Sequence, residues 1–283
     1  MDFASLFPDL KPWVQSLGAL WPAQLIKSSS WAFPVIQTFH LLAFATLGGA
    51  VLLPSLRLMG VGMTSVPPAT IEKTVRPWLI GALIVIAITG ILMGLVVAQR
   101  LYARPVFLVK MIALAAGLIL SVGVVSSVAS REGVLTLAAK VMAAVALLLW
   151  LVAIFIFGTS FGAAPGTVHL VGAGWLIVMA FGSNTTRLVL GAITAVIVLG
   201  VGYVTYGIYH PLDDYDIVME INRWAVRGGA LLVAGFVLWE FARPKTAEVV
   251  AQAPARLLGV FTILVWFTVA TAGRWIGLGG SPG

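Results

Sequence analysis

The chain has no cysteine and little charge: Asp, Glu, Lys and Arg together make up 10% of its 283 residues. Without cysteine there is no disulfide, no CxxC redox pair, no thioether-attached haem and no lipoprotein acyl anchor, whichever compartment the loops face. Histidine is scarce too, so imidazole chemistry rests on three residues, His40, His169 and His210. No P-loop, nucleophile elbow, HExxH or dinucleotide-binding glycine fingerprint stands in a sensible context, which gives a hydrolase or a nucleotide-driven pump no footing and leans away from an enzyme. The opening Met1-Asp2-Phe3 carries no basic stretch and is interrupted by Pro8 and Pro12, so a cleaved signal peptide is not expected.

What the chain has in plenty is hydrocarbon, with 60% hydrophobic residues and a mean hydropathy of +1.06. Residues 78–98, WLIGALIVIAITGILMGLVVA, contain no charge. About 20 apolar residues at 1.5 Å each cross a bilayer core about 30 Å thick. Only helices or closed barrels satisfy the backbone there, and long runs select helices over the short alternating segments of a barrel. Eight runs qualify: 33–56, 78–98, 106–130, 141–164, 166–182, 188–209, 224–242 and 257–273. The expected fold class is all-α, a polytopic transmembrane helix bundle. An interfacial segment at residues 1–30 precedes it, in which Phe3, Leu6, Trp13 and Trp21 mix with Asp9, Lys11 and Lys27 as an amphipathic helix would.

The pI of about 10.1 is read in that setting. The seventeen Lys and Arg lie almost entirely between or at the ends of the apolar runs, where they meet headgroups, and no basic-aromatic patch points to nucleic acid. Even-numbered spans put both termini on one face. That face carries Lys11, Lys27, Arg100, Arg104, Lys110, Arg223, Arg227 and Arg274, eight cations against nine on the other. Lys110 and Arg227 fall inside spans, so the balance favours a cytoplasmic far face and periplasmic termini in a bacterial inner membrane.

The halves echo each other. Leu149-Trp150-Leu151 and Val265-Trp266-Phe267 each precede a Gly-xxx-Gly pair and a Pro-Gly; Lys110 and Arg227 hold matching places, and His40-Leu41-Leu42 resembles His169-Leu170-Val171. The domain reading is therefore 1–30, then a first four-helix half at 31–165 and a second at 166–283, parallel copies with a functional site expected between them.

The candidate site residues follow. His40 lies seven residues into its span, about 10 Å deep by helical rise. His169 is three residues into the fifth span, and His210 ends the sixth and opens His210-Pro211-Leu212-Asp213-Asp214-Tyr215-Asp216, the one acidic cluster. A buried imidazole needs a partner or a task, and imidazoles with carboxylates suit a divalent metal, so His40, His169, His210, Asp213 and Asp214 form the candidate metal set. The bland alternatives are a satisfied span histidine and a solvated loop. Lys110 and Arg227 either snorkel to headgroups or face an anionic ligand, Glu240 pairs with Arg243, and the glycine pairs at Gly90, Gly158 and Gly273 pack helices closely.

Over residues 13–166 the chain resembles a family of uncharacterised bacterial membrane domains related to the copper-resistance CopD group. Ser30-Trp31, Pro34, the run Gln37 to Leu42 with His40, Gly48-Gly49, Leu56 to Gly60, Gly90, Pro105 to Met111 with Lys110, and Trp150 carry the resemblance. It implies an inner-membrane bundle with a span histidine near the periplasmic face and a link to copper uptake. Three functions compete: a membrane protein that binds or transports a metal cation, copper first; an electron-transfer subunit with one haem b between His40 and His169; and a cofactor-free scaffold for other membrane or periplasmic subunits.

Overall fold

In the computed structural model the described residues are 1–161, 163–209 and 213–278, with side chains at 1–159, 168–209 and 213–276. Every regular element among them is helical. Eight long helices follow the apolar runs: α1 Ala32–Met59, α2 Pro68–Val96, α3 Pro105–Ala129, α4 Leu137–Phe161, α5 Ala163–Phe181, α6 Asn184–Ile208, α7 Tyr215–Phe241 and α8 Ala253–Leu278. Seven are long and apolar enough to cross a membrane, and α5 is the shorter apolar one. Exposed Phe155, Leu170, Leu199, Leu231 and Leu238 ring the bundle with more apolar surface than a water-soluble monomer carries. This is a multi-pass membrane protein.

Local chemistry sets the ends. α1 stops at Gly60, whose φ of +70° is left-handed, and its amide returns to Arg57 O. α2 and α3 start on Pro68 and Pro105, residues whose missing N–H costs nothing in a first turn. α6 is capped by the Ser183 hydroxyl, which accepts from the Thr186 amide. Two helices begin well before their apolar runs, α2 at Pro68 instead of 78 and α7 at Tyr215 instead of 224. Hydropathy marks where lipid begins, whereas the backbone keeps its helical hydrogen bonds into the headgroup layer; the early turns carry Glu72, Lys73 and Arg76, and Asp216, Glu220 and Arg223.

Ahead of α1, the N-terminal segment forms short helices, Phe3–Leu6, Lys11–Leu17 and Trp21–Ser28, with Val14, Ala23 and Ile26 buried and Trp13, Trp21 and Trp31 exposed. Exposed tryptophans favour the membrane interface.

α8 is the hub. Across its most apolar window 61% of residues are buried, against 11% for α6 and α7. Although last in sequence, it packs chiefly on α3 and α1, then on α5, and it contributes to all three apolar clusters. Small residues make this possible. A methyl at Gly259 would stand 2.5 Å from Ser55 O of α1, and one at Gly117 of α3 would meet the Trp266 ring at 2.9 Å. A π-helical stretch in α3, Ile119–Val125, holds Ser121, whose oxygen accepts from Trp266 Nε1 at 2.8 Å.

Candidate functional site

His40 projects from α1 onto α2. Its Nδ1 lies 2.8 Å from Thr89 Oγ1, and the Thr89 hydroxyl donates to Val85 O at 2.6 Å. The hydroxyl proton being committed to the carbonyl, the oxygen accepts from Nδ1–H, which places the lone pair of the neutral ring on Nε2. Gly90, the next residue, leaves room for the ring: a β-carbon there would stand 3.4 Å from His40 Cε1.

Lys110 sits in the second turn of α3, within electrostatic reach of the His40 ring. Its ammonium rests against α8 over Gly273, where a β-carbon would stand 3.7 Å from Nζ. The side chain is half-buried, and among the described residues no carboxylate or hydrogen-bond acceptor pairs with it. Counting helical rise from the ends on this face, Lys110 and Gly273 lie about 7.5 Å in, and Thr89 and His40 about 10 to 12 Å. Four helices thus bring one cation and one imidazole to a common level.

His169 is a different case. It is 4% exposed, with Nε2 at 2.9 Å from Thr268 Oγ1 of α8 and its ring edge-on to Phe157 and Phe267. Thr268 donates to Leu264 O at 2.9 Å, and its oxygen also accepts from Trp150 Nε1 at 2.9 Å. One hydroxyl therefore joins α4, α5 and α8. His40 and His169 belong to separate hydrogen-bonded groups, one on Thr89 and the other on Thr268. His210 lies outside the described residues. Asp213 and Asp214 precede the first turn of α7, and among the described residues no group of three or more His, Asp or Glu is gathered for a metal.

The opposite end of the bundle holds its own polar groups, which sequence reasoning largely missed. Buried Glu72 accepts from Ser126 Oγ at 2.6 Å, and Arg76 Nη1 donates to the same Ser126 oxygen at 3.0 Å. Glu240 does face Arg243, at 3.9 Å, but its closer partners are Lys245 Nζ and Thr186 Oγ1, both at 2.6 Å. Arg256 and Lys245 donate to Ala180 O and Phe181 O, and Arg187 to Gly60 O, so cations meet the carbonyl ends of α5 and α1. The signal available in the sequence was the hydroxyl or acid at each span end; the Ser126 and Thr186 pairings themselves span 50 or more residues.

Of the glycine pairs, Gly162 lies outside the described residues, as do the side-chain surroundings at Gly277, and the others serve side chains more than tight helix contacts. Gly90 and Gly273 face His40 and Lys110, and a β-carbon added at Gly158 would have nothing within 4 Å. The tight helix contacts fall instead at Gly117, Gly174 and Gly259.

Residues 30–163, just under half of the chain, match a family of unknown function (DUF6644). The match covers α1 to α4 and includes His40, Thr89 and Lys110, while His169, Thr268 and Gly273 lie beyond it. No curated protein and no solved structure matches the chain. Its first four membrane helices are thus similar to a family that carries no assigned activity.

Proposed function

We propose that this membrane protein binds an anionic group, brought by a ligand that resides in or crosses the bilayer, between Lys110 of α3 and His40 of α1. The observation that carries the reading is the Lys110 ammonium, half-buried over Gly273 and without a carboxylate among the described residues. A cation in a membrane helix costs about 2.5 to 3.5 kcal/mol on insertion scales, and an anionic ligand would offset that cost. The neutral ring of His40 adds selectivity. Its Nε2 accepts an O–H while Lys110 meets a charged oxygen, a pairing that suits a partly protonated oxyacid such as a hydrogen phosphate or a phosphate monoester.

A second reading retains one supporting feature. A Thr89-bonded Nδ1–H presents Nε2 as a metal ligand would, and the CopD resemblance of the first half supports copper as the ion, captured through His40 with His169 and the His210 loop. The charge of Lys110 opposes a cation at that place. In the orientation favoured by the charge balance, with periplasmic termini in a bacterial inner membrane, either ligand would enter from the periplasmic side.

Thermal unfolding of the protein in detergent separates the two. On the anion reading, phosphate or an acidic lipid at about a hundredfold over its Kd stabilises by about 2.7 kcal/mol, and Lys110→Met abolishes the gain. Copper-dependent stabilisation that survives Lys110→Met and vanishes in His40→Ala would overturn it in favour of the metal.

A further inference from the structure

We infer that the N-terminal segment builds a second anion site, a pocket for the phosphate of a lipid headgroup, bounded by Lys27 and Arg100. The pocket has a volume of about 290 Å³ and lies where the turn at Gly18 and the helix Trp21–Ser28 meet the end of α2 and the short helix Ala98–Tyr102. Its wall is otherwise the backbone and side chains of residues 95–99. Among the described residues, no acidic side chain lines it.

Several features mark it as a formed site and not a chance gap. Gly18 O accepts from both Lys27 Nζ at 2.9 Å and Gln24 Nε2 at 2.7 Å, which fixes the lysine against the wall while leaving two of its three N–H donors uncommitted to that carbonyl. The lysine packs closely on Gly18, where a β-carbon would stand 3.1 Å from Lys27 Nζ. Tyr102 donates to Phe7 O, tying the short helix that carries Arg100 to the N-terminal segment. Arg100 has neither a carboxylate nor a hydrogen-bond partner among the described residues.

The competing explanation is that the two cations only cap the carbonyl end of α2. A helix C-terminus amounts to about half a negative charge, so two cations leave about +1.5 unmatched, enough for a phosphodiester monoanion. Trp13 and Trp21 are 60% and 74% exposed on the same segment, which puts the pocket at headgroup depth. A lipid phosphate, delivered by the bilayer itself, is therefore the occupant, in preference to free phosphate.

The test uses the full chain in detergent, read by native mass spectrometry against added phosphatidylglycerol, phosphatidylcholine and, separately, inorganic phosphate. The wild type should retain one phosphatidylglycerol, with the Lys27→Gln/Arg100→Gln double variant binding it about thirtyfold more weakly and the charge-conserving Lys27→Arg/Arg100→Lys variant restoring most of the affinity. Both positions are exposed, so the fold should survive, and an unchanged melting temperature confirms it. Lys110→Met should leave this retention intact, which separates the pocket from the Lys110–His40 reading. Equal phosphatidylglycerol retention by the double variant, or saturable inorganic phosphate binding without lipid retention, would overturn the proposal.

Discussion

Replacing Thr268 by valine tests the junction of α4, α5 and α8 with almost no change of shape. The substitution deletes one oxygen, the acceptor for both Trp150 Nε1 and His169 Nε2, each at 2.9 Å, in a residue with no exposed surface. Interhelical hydrogen bonds in membrane proteins average about 0.6 kcal/mol and reach about 1.7, so losing two predicts a destabilisation of about 1 to 3 kcal/mol. The Leu264 carbonyl loses only its second donor and contributes little. Trp150→Phe removes one of the two donors, and the double variant should be less destabilised than the sum by about 0.5 to 1.5 kcal/mol, because one bond is lost in both single variants. The assay is reversible unfolding by sodium dodecyl sulfate in mixed micelles, followed by tryptophan fluorescence. Thr268→Ser keeps the oxygen and should hold most of the stability. A Thr268→Val protein that unfolds within about 0.3 kcal/mol of wild type would refute the reasoning, and so would strict additivity with Trp150→Phe.

Three further outcomes follow from other contacts, all readable in the same titration. Gly259→Ala should destabilise by about 1 to 3 kcal/mol, since the new methyl meets the Ser55 carbonyl at 2.5 Å and one of the two helices α1 and α8 has to move; a neutral result would mean that their axes do not approach so closely. Ser126→Ala strips a buried carboxylate of its hydroxyl donor and should cost about 1.5 to 3 kcal/mol, while Arg76→Gln costs less because it touches Glu72 only through Ser126. Glu240→Gln should weaken the far end by about 1 to 3 kcal/mol, as Lys245 and Arg243 lose their shared carboxylate; equal stability at low and high salt alike would count against that pairing.

The spans were legible because a bilayer imposes one length on every crossing helix. Each expected run coincides with a helix, and the largest errors, at the starts of α2 and α7, arise where helix outlasts apolar sequence. His40 was legible as a polar ring within a span, but its partner was not: Thr89 is 49 residues away and one of many hydroxyls on apolar helices. His169 looked equivalent to His40 by its flanking Leu and Val, yet it closes a network with Trp150 and Thr268, residues that no local pattern connects to it. Lys110 resembled a snorkelling lysine of the usual kind. What distinguishes it is Gly273, 163 positions later, whose bare backbone gives the ammonium a place to rest inside the bundle.

By itself, then, the sequence determined that the chain is a multi-pass helical membrane protein, roughly where it crosses, and which few polar side chains enter the apolar layer. Those properties depend on residue type and spacing along one helix at a time, and hydrocarbon penalises errors in either. Only the tertiary structure decided that α8 fills the middle of the bundle, that the two span histidines have different surroundings, and that Lys110 comes within electrostatic reach of His40 without a counter-charge among the described residues. Lipid offers every apolar helix face nearly the same solvation. The choice of neighbour therefore falls to small residues that let backbones approach and to a handful of hydroxyls, whose pairing emerges only when the helices are brought together.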